Sequence, residues 1–506
     1  MRRIWLLAFV GYFMLGMGWV LGVPVNGTYD EVQHIPRAYG VVTGQIYADG
    51  YFFDGPASLL PGNLTCFEPE KLAAGCQTAA PRAGTPQGDE TVRWPSAAAR
   101  YSPLYYAAVG LPLALSPDRD GIIAARVLSV LLSALLLATA MALAARAGNR
   151  LLIGALLLVT TPIAMNLNGA INPNGLEISA GILAWTALLL LVRGSEVRPA
   201  RSLFVAFGAS AALLLTIRHM GPVLLGVIIL ACLLFARPGR VRALFGQAVT
   251  RWTLGAIAAA GALGVLWMVT SAVDSIPPDP NRAVDLSTAG IVEQIVRIRT
   301  PFYLTQVIGQ FSYGELTLPG WVAFGWYALV AALVIPALLL ANRRYRLVWL
   351  GTAVACFGML AVLELWFVPR LGWYSHGRYA MPAGVGLVLM AAFVRGLGGE
   401  PEEGGGGEPG SNLGGEFSDR FVQLVAVGTA CLHIYALVEV TLRYREQISS
   451  MPSPAYSFVL GVTGAFLLVA MSWRNTYTQL TPTRHNPDTT NNLGRSSEDE
   501  TRTVAH

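Results

Sequence analysis

The chain has 506 residues, of which 54% are hydrophobic and only 13% are charged, whereas charged residues make up about 25% of an ordinary soluble domain. With a mean hydropathy of +0.51, this composition excludes a soluble globular protein and indicates an all-α protein that crosses a membrane many times. The net charge of +5 comes from arginines in short loops between apolar runs, which is an orientation signal. No nucleic-acid partner is therefore expected.

Twelve apolar runs are predicted to span the bilayer, which requires about 20 residues each. They are 4–22, 121–145, 151–167, 175–192, 203–217, 220–236, 253–272, 322–341, 347–366, 378–396, 420–438 and 457–473. With Arg2 and Arg3 in the cytoplasm, twelve spans place the arginine-rich loops inside, as the positive-inside rule requires. A span at 103–115 would reverse every later loop, so this short segment is predicted to be juxtamembrane or re-entrant on the outer side.

The predicted organisation follows from these spans. Residues 1–396 form a transmembrane core with long outer loops at 23–120 and 273–321, and 420–473 form the C-terminal spans. The glycine- and glutamate-rich segment 397–419 is a flexible cytoplasmic linker, and the polar segment 474–506 is a disordered cytoplasmic tail. In the first outer loop, an oxidising compartment favours a disulfide between Cys66 and Cys76 over two free thiols.

The first candidate site lies just after the first apolar run. Asp30 and Glu31 are adjacent, and His34 and Arg37 follow. On a helix, positions 30, 34 and 37 share a face, because residues three and four apart are neighbours. A carboxylate there can deprotonate an acceptor hydroxyl or hold a divalent cation, and an arginine can bind a phosphate. The alternative is a polar loop that merely follows a helix.

Other polar residues fall on the same predicted side of the membrane. A turn near residue 170 carries Asn172 and Asn174, which fit a sugar-hydroxyl contact, although Asn174 alone is better explained as the cap of the next helix. Arg218, Arg378 and Tyr379 lie at the ends of apolar runs. An arginine there must face a cavity, a headgroup or a carboxylate, and the alternative is a side chain that snorkels to lipid.

Two further segments and one histidine have less specific interpretations. The tyrosine-rich segment 94–106 fits an aromatic belt as well as a substrate contact. The segment 309–319, whose only acid is Glu315, is predicted to form a re-entrant turn over the cavity. His433, inside an apolar run, is predicted to be a satisfied interior residue.

The order of three motifs resembles the GT-C superfamily of polyprenyl-phosphate-dependent glycosyltransferases. It is more closely similar to an uncharacterised bacterial membrane-protein family placed near that superfamily. The motifs are Asp30-Glu31-x-x-His34, the segment 311–319 and Gly377-Arg378-Tyr379-x-x-Pro382. The chain departs from the family pattern at Thr28, where a proline usually precedes the acids, and in the middle motif, where residues 312–314 match only loosely.

The resemblance implies an inverting glycosyltransferase at the outer face of a bacterial plasma membrane. Its donor would be a sugar on polyprenyl phosphate, and its acceptor an envelope glycan, lipid or protein. Asp30 or Glu31 would act as base, and Arg378, with Arg37 or Arg218, would stabilise the phosphate leaving group. Asp30 is expected to carry the catalysis, with Glu31 in a supporting or metal-binding role and His34 orienting a carboxylate or the acceptor.

Three questions stay open at this level. A divalent cation, Mg²⁺ or Mn²⁺, could bridge an acid and the phosphate. A transporter or flippase of lipid-linked sugars would also need arginines and a cavity, although not an acidic pair fixed outside the membrane. A non-enzymatic membrane protein of envelope assembly is the third class.

Overall fold

The computed structural model describes residues 2–59, 81–194, 199–271, 283–311, 314, 316–394, 412–447 and 453–473. Cys66, Cys76 and Glu315 lie outside the described residues, as do most of the predicted linker and the whole predicted tail. The described helices are α1 (Arg2–Gly22), α2 (Glu31–Val42), α3 (Pro103–Val109), α4 (Leu111–Leu115), α5 (Arg119–Arg146), α6 (Arg150–Val159), α7 (Pro162–Asn168), α8 (Pro173–Arg193), α9 (Arg201–Ile217), α10 (Gly221–Phe235), α11 (Arg240–Phe245), α12 (Ala248–Thr270), α13 (Thr288–Gln294), α14 (Thr300–Gly309), α15 (Gly320–Leu340), α16 (Arg343–Leu371), α17 (Met381–Gly384), α18 (Gly386–Leu389), α19 (Asn412–Gln447) and α20 (Pro454–Ser472).

The predicted all-α, polytopic membrane fold is confirmed. In the described part of the chain, α1, α5, α8, α12, α15, α16, α19 and α20 are long and apolar enough to cross a membrane. The pair α6 and α7, bent by 70° between them, makes a ninth. The three other predicted runs correspond to shorter apolar stretches of 10–17 residues, α9, α10 and Met381–Phe393, so twelve spans stay a prediction. Helix α19 begins at Asn412, within the segment predicted to be a linker.

The segment 103–115 forms two short helices, α3 and α4, of 7 and 5 residues, neither of which is long enough to span a bilayer. They pack against α2 and α5. Between them, Gly110 approaches α2 so closely that a Cβ would lie 2.6 Å from the Ala38 carbonyl oxygen. Their outward face carries Leu104, Leu111 and Leu115, all exposed.

The helical core is centred on α8, whose most apolar stretch of 18 residues is completely buried. It packs against α5, α9 and α10. Helix α1 packs against α5 and, backbone to backbone, against α20, where a Cβ on Gly464 would lie 2.3 Å from the Leu15 nitrogen. Small residues commonly allow such close approach in membrane helices. In contrast, only 6% of the residues in the corresponding apolar stretch of α12 are buried, so this helix presents its side chains outward.

Two long loops, the first between α1 and α5 and the second between α12 and α15, pack together at the C-terminal end of α1. In the first, an antiparallel hairpin of β1 (Phe52–Pro56) and β2 (Thr91–Pro95) packs with α2 over its own apolar cluster. In the second, α13 and α14 lead to the two-residue strands β3 (Gln310–Phe311) and β4 (Leu316–Thr317). A 3₁₀ turn at Gly377–Tyr379 contacts α14. This arrangement brings residues from both loops and from the 372–380 segment together.

Candidate functional site

Asp30 forms an ion pair with Arg378. Its Oδ2 accepts a hydrogen bond of 2.7 Å from Arg378 Nη2 across 348 positions of sequence. The Asp30 side chain is 39% exposed, whereas that of Arg378 is only 2% exposed. Asp30 precedes α2 in the left-handed backbone region, with φ of 60°, which aspartate tolerates better than most residues. The carboxylate is therefore accessible, and a buried guanidinium fixes its position.

The Asp30 carboxyl is ionised at neutral pH. Burial raises its pKa, but the positive charge of Arg378 opposes this effect, and His376, His34 and Arg218 add to the opposition. The net result is a pKa below the ordinary value of 3.8. Asp30 can thus accept hydrogen bonds or a proton but has no proton of its own to donate.

Glu31 points away from this site and is fully buried with Arg126. Its Oε1 accepts hydrogen bonds from Arg126 Nε at 2.7 Å and from the Ile171 backbone at 3.0 Å. Its Oε2 accepts from Arg126 Nη2 and, at 2.8 Å, from the Asn26 backbone. Glu31 therefore ties the loop after α1 to α5 and to the turn before α8, and the structure does not bring it to the site with Asp30.

The donor set does not fit a divalent cation held by the acidic pair. Both oxygens of Glu31 are occupied, and the charged partner of Asp30 is the guanidinium of Arg378, which repels a cation. In the part of the chain that the structure describes, no group of three or more His, Cys, Asp or Glu residues is arranged to hold a metal ion. A cation near Asp30 would need ligands from a substrate.

His34 lies close to Asp30 but bonds elsewhere. Its Nδ1 is 2.8 Å from the Tyr106 hydroxyl, and its ring stacks on Tyr101 with centroids 6.0 Å apart. Burial lowers the pKa of His34 to about 3, more than the charge of Asp30 can raise it. His34 is therefore a neutral part of the wall behind Asp30.

Arg37 does not join the predicted face. Its guanidinium donates to the carbonyl oxygens of Ile46 at 2.7 Å and Tyr101 at 2.9 Å, and the residue is fully buried. The predicted common face of positions 30, 34 and 37 is not formed because the helix begins at Glu31, with Asp30 in a left-handed conformation outside it. Arg37 holds the first loop together instead of facing a phosphate.

The two asparagines organise the start of α8. Asn172, and not Asn174, is the cap, because Asn172 Oδ1 accepts from the Asn174 backbone at 3.0 Å and Pro173 takes the first helical position. Asn172 Nδ2 also donates to the Tyr29 carbonyl oxygen at 2.7 Å, next to Asp30. Asn174 Nδ2 is buried and bonds to no residue in the described ranges.

A cavity of about 410 Å³ is bordered by Tyr379, the residue that follows Arg378, although neither Asp30 nor Arg378 is among its lining residues. Its polar lining consists of two arginines, three tyrosines, His219 and Ser271, with no acid among the described residues that line it. Arg218 is held by Glu177 Oε2 at 2.8 Å, and Arg100 Nη2 donates to the Tyr374 hydroxyl at 2.6 Å. Such a cavity suits an anion, since arginine binds phosphate oxygens strongly.

The cavity continues into an apolar pocket of about 180 Å³ between α9, α10 and α12. The two spaces share Arg218, His219 and Met268. Gly261 and Gly264 of α12 line the apolar pocket, and α12 approaches α9 so closely there that a Cβ on Gly264 would lie 2.5 Å from the Leu215 carbonyl oxygen. Because α12 is exposed along most of its length, this pocket lies next to the surface that would face lipid.

Tyr379 connects the cavity with the ion pair. The Arg218 guanidinium lies 4.9 Å from its ring centroid and the Arg378 guanidinium 5.1 Å. Of the residues predicted from sequence, the structure thus brings Asp30, Arg218, Arg378 and Tyr379 together.

Sequence reasoning missed the site residues Tyr374 and Glu364, and it left Arg100 and Tyr101 in a segment with two interpretations. Arg100, Tyr101 and Tyr374 line the cavity, and the first two lie in a segment whose aromatic composition alone could not separate a belt from a site. Glu364 is buried in α16 and accepts from the backbones of Tyr374 at 2.9 Å and Ser375 at 3.2 Å, which fixes the segment before Arg378. The sequence carried one signal for Glu364, because an acid within an apolar run is costly unless it has a partner or a function.

The chain matches a family model described as "Predicted membrane protein (DUF2142)" over residues 13–387. The match covers more than half of the chain, so the chain belongs to this family, and the resemblance to a family of predicted membrane proteins is confirmed. No curated protein matches it. Two similar solved structures are those of ArnT from Cupriavidus metallidurans, each 12% identical. The form bound to undecaprenyl phosphate has a TM-score of 0.43, with 92% of this chain and 77% of that chain covered, and the apo form has 0.41, with 90% and 75% covered.

Proposed function

We propose that this member of the DUF2142 family is a membrane glycosyltransferase that moves a sugar from a polyprenyl-phosphate donor to a hydroxyl of a cell-envelope acceptor. The observation that carries the proposal is the accessible Asp30 carboxylate, whose partner Arg378 contacts the ring of Tyr379, which lines an arginine-rich cavity. The active site would face the outer side of a bacterial plasma membrane, as the arginine-rich loops at the opposite helix ends favour.

The arginine-lined cavity and the apolar pocket suit the two parts of such a donor, the polar sugar phosphate and the apolar prenyl chain. A phosphate would bind to Arg100 and Arg218, and the sugar would occupy the remainder of the 410 Å³ cavity, which lies within the range of ordinary ligand pockets. The prenyl chain would enter through the apolar pocket beside α12. Because the lipid delivers the sugar from within the bilayer, no nucleotide-binding domain is needed.

The proposed transfer is a single displacement. The acceptor hydroxyl oxygen attacks the anomeric carbon while Asp30 takes its proton, and the bond from that carbon to the phosphate oxygen breaks. Polyprenyl phosphate leaves with the electron pair, and Arg218 and Arg100 stabilise the negative charge that develops. Tyr379 lies between the base and the phosphate cavity, so the two can act on opposite faces of the sugar and invert its configuration.

The test is release of polyprenyl phosphate by the purified protein from a panel of polyprenyl-phosphate sugars with envelope acceptors. We expect Asp30→Asn to reduce turnover by about 10²–10⁴-fold, the usual effect of removing a general base. Thermal stability should also fall, because the buried Arg378 guanidinium loses its counter-ion, so unfolding is measured alongside turnover and activity is compared at a temperature where the variant is folded. Asp120→Asn, at an exposed position in the first turn of α5, is the matched control and should keep full activity. Full activity of Asp30→Asn would refute this mechanism.

One observation favours a flippase as a second candidate. The span formed by α6 and α7 is bent by 70°, and transporters often place binding sites at broken helices. At this break, however, Thr160 O accepts from His433 Nε2 at 2.8 Å and Leu158 O accepts from Trp326 Nε1 at 3.0 Å, so these carbonyls are already used. A flippase would move lipid-linked sugar across vesicle membranes without releasing polyprenyl phosphate, and Asp30→Asn would leave that movement intact.

A further inference from the structure

We propose that Gln306 holds His376 as a neutral imidazole with its single proton on Nε2, and that this N–H binds an acceptor oxygen next to the hydroxyl that Asp30 deprotonates. The choice of an acceptor as the ligand rests on the proposed function. The proton position rests on hydrogen-bond geometry alone.

The amide of Gln306 can have only one orientation. Its Oε1 is 2.7 Å from the Gly377 backbone nitrogen, which can only donate. The amide nitrogen therefore faces Nδ1 of His376, at 2.9 Å. Because an amide nitrogen only donates, Nδ1 must be the acceptor, and the proton of the neutral ring lies on Nε2.

The surroundings keep this arrangement rigid. Gln306 is 2% exposed, and its amide nitrogen also lies 3.4 Å from the Tyr29 hydroxyl, so both amide hydrogens have an acceptor. Gly377 is pressed against α14, where a Cβ would lie 2.4 Å from the Tyr303 carbonyl oxygen. These contacts hold both the amide and the loop that carries His376 in the position that leaves Nδ1 as an acceptor.

His376 lies close enough to Asp30 and Arg378 for both charges to act on its ring. The ring packs between Tyr29 and Tyr379, with centroids 5.3 and 5.4 Å away, and it is only partly buried. In the described part of the chain, Nε2 bonds to no residue. Burial and the charge of Arg378 keep the pKa of His376 well below its ordinary value despite the attraction of Asp30, so the ring stays neutral.

A neutral donor has a specific advantage here. An imidazolium next to Asp30 would compete with the acceptor for the carboxylate and weaken it as a base. A neutral N–H can instead bind and orient an acceptor oxygen while Asp30 remains free to take a proton. The Gln306–His376 pair thus supplies orientation without adding a charge beside Arg378.

The proton position can be measured without any substrate. The chain has six histidines, so protein labelled with ¹⁵N-histidine gives few ring signals, and the signal lost in His376→Gln identifies this residue. We expect a neutral ring with a protonated Nε2 from pH 5 to 8. Gln306→Glu keeps the acceptor for Gly377 but replaces the donor facing Nδ1 with a carboxylate, and should move a proton onto Nδ1. A wild-type ring that is charged or protonated at Nδ1 would overturn the proposal.

The contact with the acceptor can be tested with two isosteric variants. The amide nitrogen of glutamine reaches the place of Nε2, whereas that of asparagine reaches the place of Nδ1. His376→Gln should therefore keep the acceptor KM near the wild-type value, and His376→Asn should raise it about tenfold, the effect of one lost hydrogen bond. The reverse order would show that only the contact with Gln306 matters and would refute the acceptor contact.

Failure of the proposed function is distinguishable from failure of this inference. If the wild-type protein transfers no sugar while the ¹⁵N signals are as expected, the glycosyltransferase function and the acceptor contact are refuted. The inference that Gln306 fixes the proton of His376 on Nε2 then stands. If transfer occurs with a charged or Nδ1-protonated ring, the glycosyltransferase stands and the inference is refuted.

Discussion

At the scale of single residues, two adjacent acids have opposite environments. Asp30 keeps 39% of its side-chain surface exposed, whereas the side chains of Glu31 and Arg126 are fully buried. A buried ion pair tolerates the loss of one partner poorly, because the remaining charge stays in a low-dielectric environment without compensation. We therefore assign Asp30 to chemistry and Glu31 to the stability of the loop that carries Asp30.

Glu31→Gln should destabilise the protein by about 3–5 kcal/mol, because it leaves Arg126 buried without its counter-ion. The measurement is thermal unfolding in detergent alongside turnover. Glu293→Gln, which removes an exposed pair with Arg297, is the control and should cost no more than about 0.5 kcal/mol. If Glu31→Gln unfolds like the wild type but is inactive, Glu31 has a chemical role that its burial argues against.

Tyr101 should make donor binding sensitive to alkaline pH. Burial raises the pKa of its phenol, but the charges of Arg218 and Arg100 outweigh burial and bring the pKa down to about 8. The phenol is neutral below that pH, and the phenolate formed above it neutralises arginine charge in the cavity. The donor KM should therefore rise above about pH 8.

Tyr101→Phe should abolish this rise, because the ring remains and the titrating group is lost. Tyr47→Phe, which changes an exposed phenol outside the cavity, is the control and should keep the wild-type profile. An identical alkaline rise in Tyr101→Phe would assign the titration to another group.

At the scale of elements, the short loop that carries Arg378 is held from two sides. Glu364 of α16 accepts from the Tyr374 and Ser375 backbones, and α14 meets Gly377. The loop has no long helix of its own to fix Arg378, so its precision depends on these contacts. Displacement by about 1 Å from the productive geometry can cost about 10²-fold in rate.

Gly377→Ala should therefore reduce turnover by about 10²-fold, because the new methyl group would meet the Tyr303 carbonyl oxygen at 2.4 Å and push the loop from α14. Gly384→Ala makes the same change a few residues later, where nothing lies within 4 Å, and should behave as the wild type. Turnover assays and thermal unfolding of both variants test this. Equal activity of the two would show that the loop tolerates displacement.

At the scale of the whole molecule, the site elements gather at one end of the helices. Asp30 follows the C-terminus of α1, and the loops that carry Arg100 and Arg378 meet it there. Helix α5 runs from this end to its last residue, Arg146, with Ala147 exposed just beyond. The two ends of the bundle should therefore lie on opposite sides of the membrane.

Single cysteines test this orientation in a background whose native cysteines are replaced by serine. Thr43→Cys, at the exposed end of α2, should react with an impermeant thiol reagent in intact cells. Ala147→Cys should react only after the cells are opened. Labelling of position 147 but not of 43 in intact cells would invert the topology and place the site in the cytoplasm.

The sequence by itself determined the class of fold and the stretches of chain that carry the site. A bilayer span requires a continuous apolar run, and such runs are local, so the spans could be predicted, and eight described helices, or nine with the bent pair, are long and apolar enough to cross a membrane. The polar segments near Asp30 and Arg378 stood out for the same reason, since polar residues at span ends are costly unless they have a use.

Only the tertiary structure decided which charges meet. Asp30 and Arg378 are 348 positions apart, and Glu31 and Arg126 are 95 apart. Nothing local distinguishes the acid that stays partly exposed from the neighbour that is buried, because both environments are determined by the helix start at Glu31 and by the packing of α5 against α1. A buried charge is stable only beside its partner, and that partner is chosen by packing between distant helices, which hydropathy along the chain does not encode.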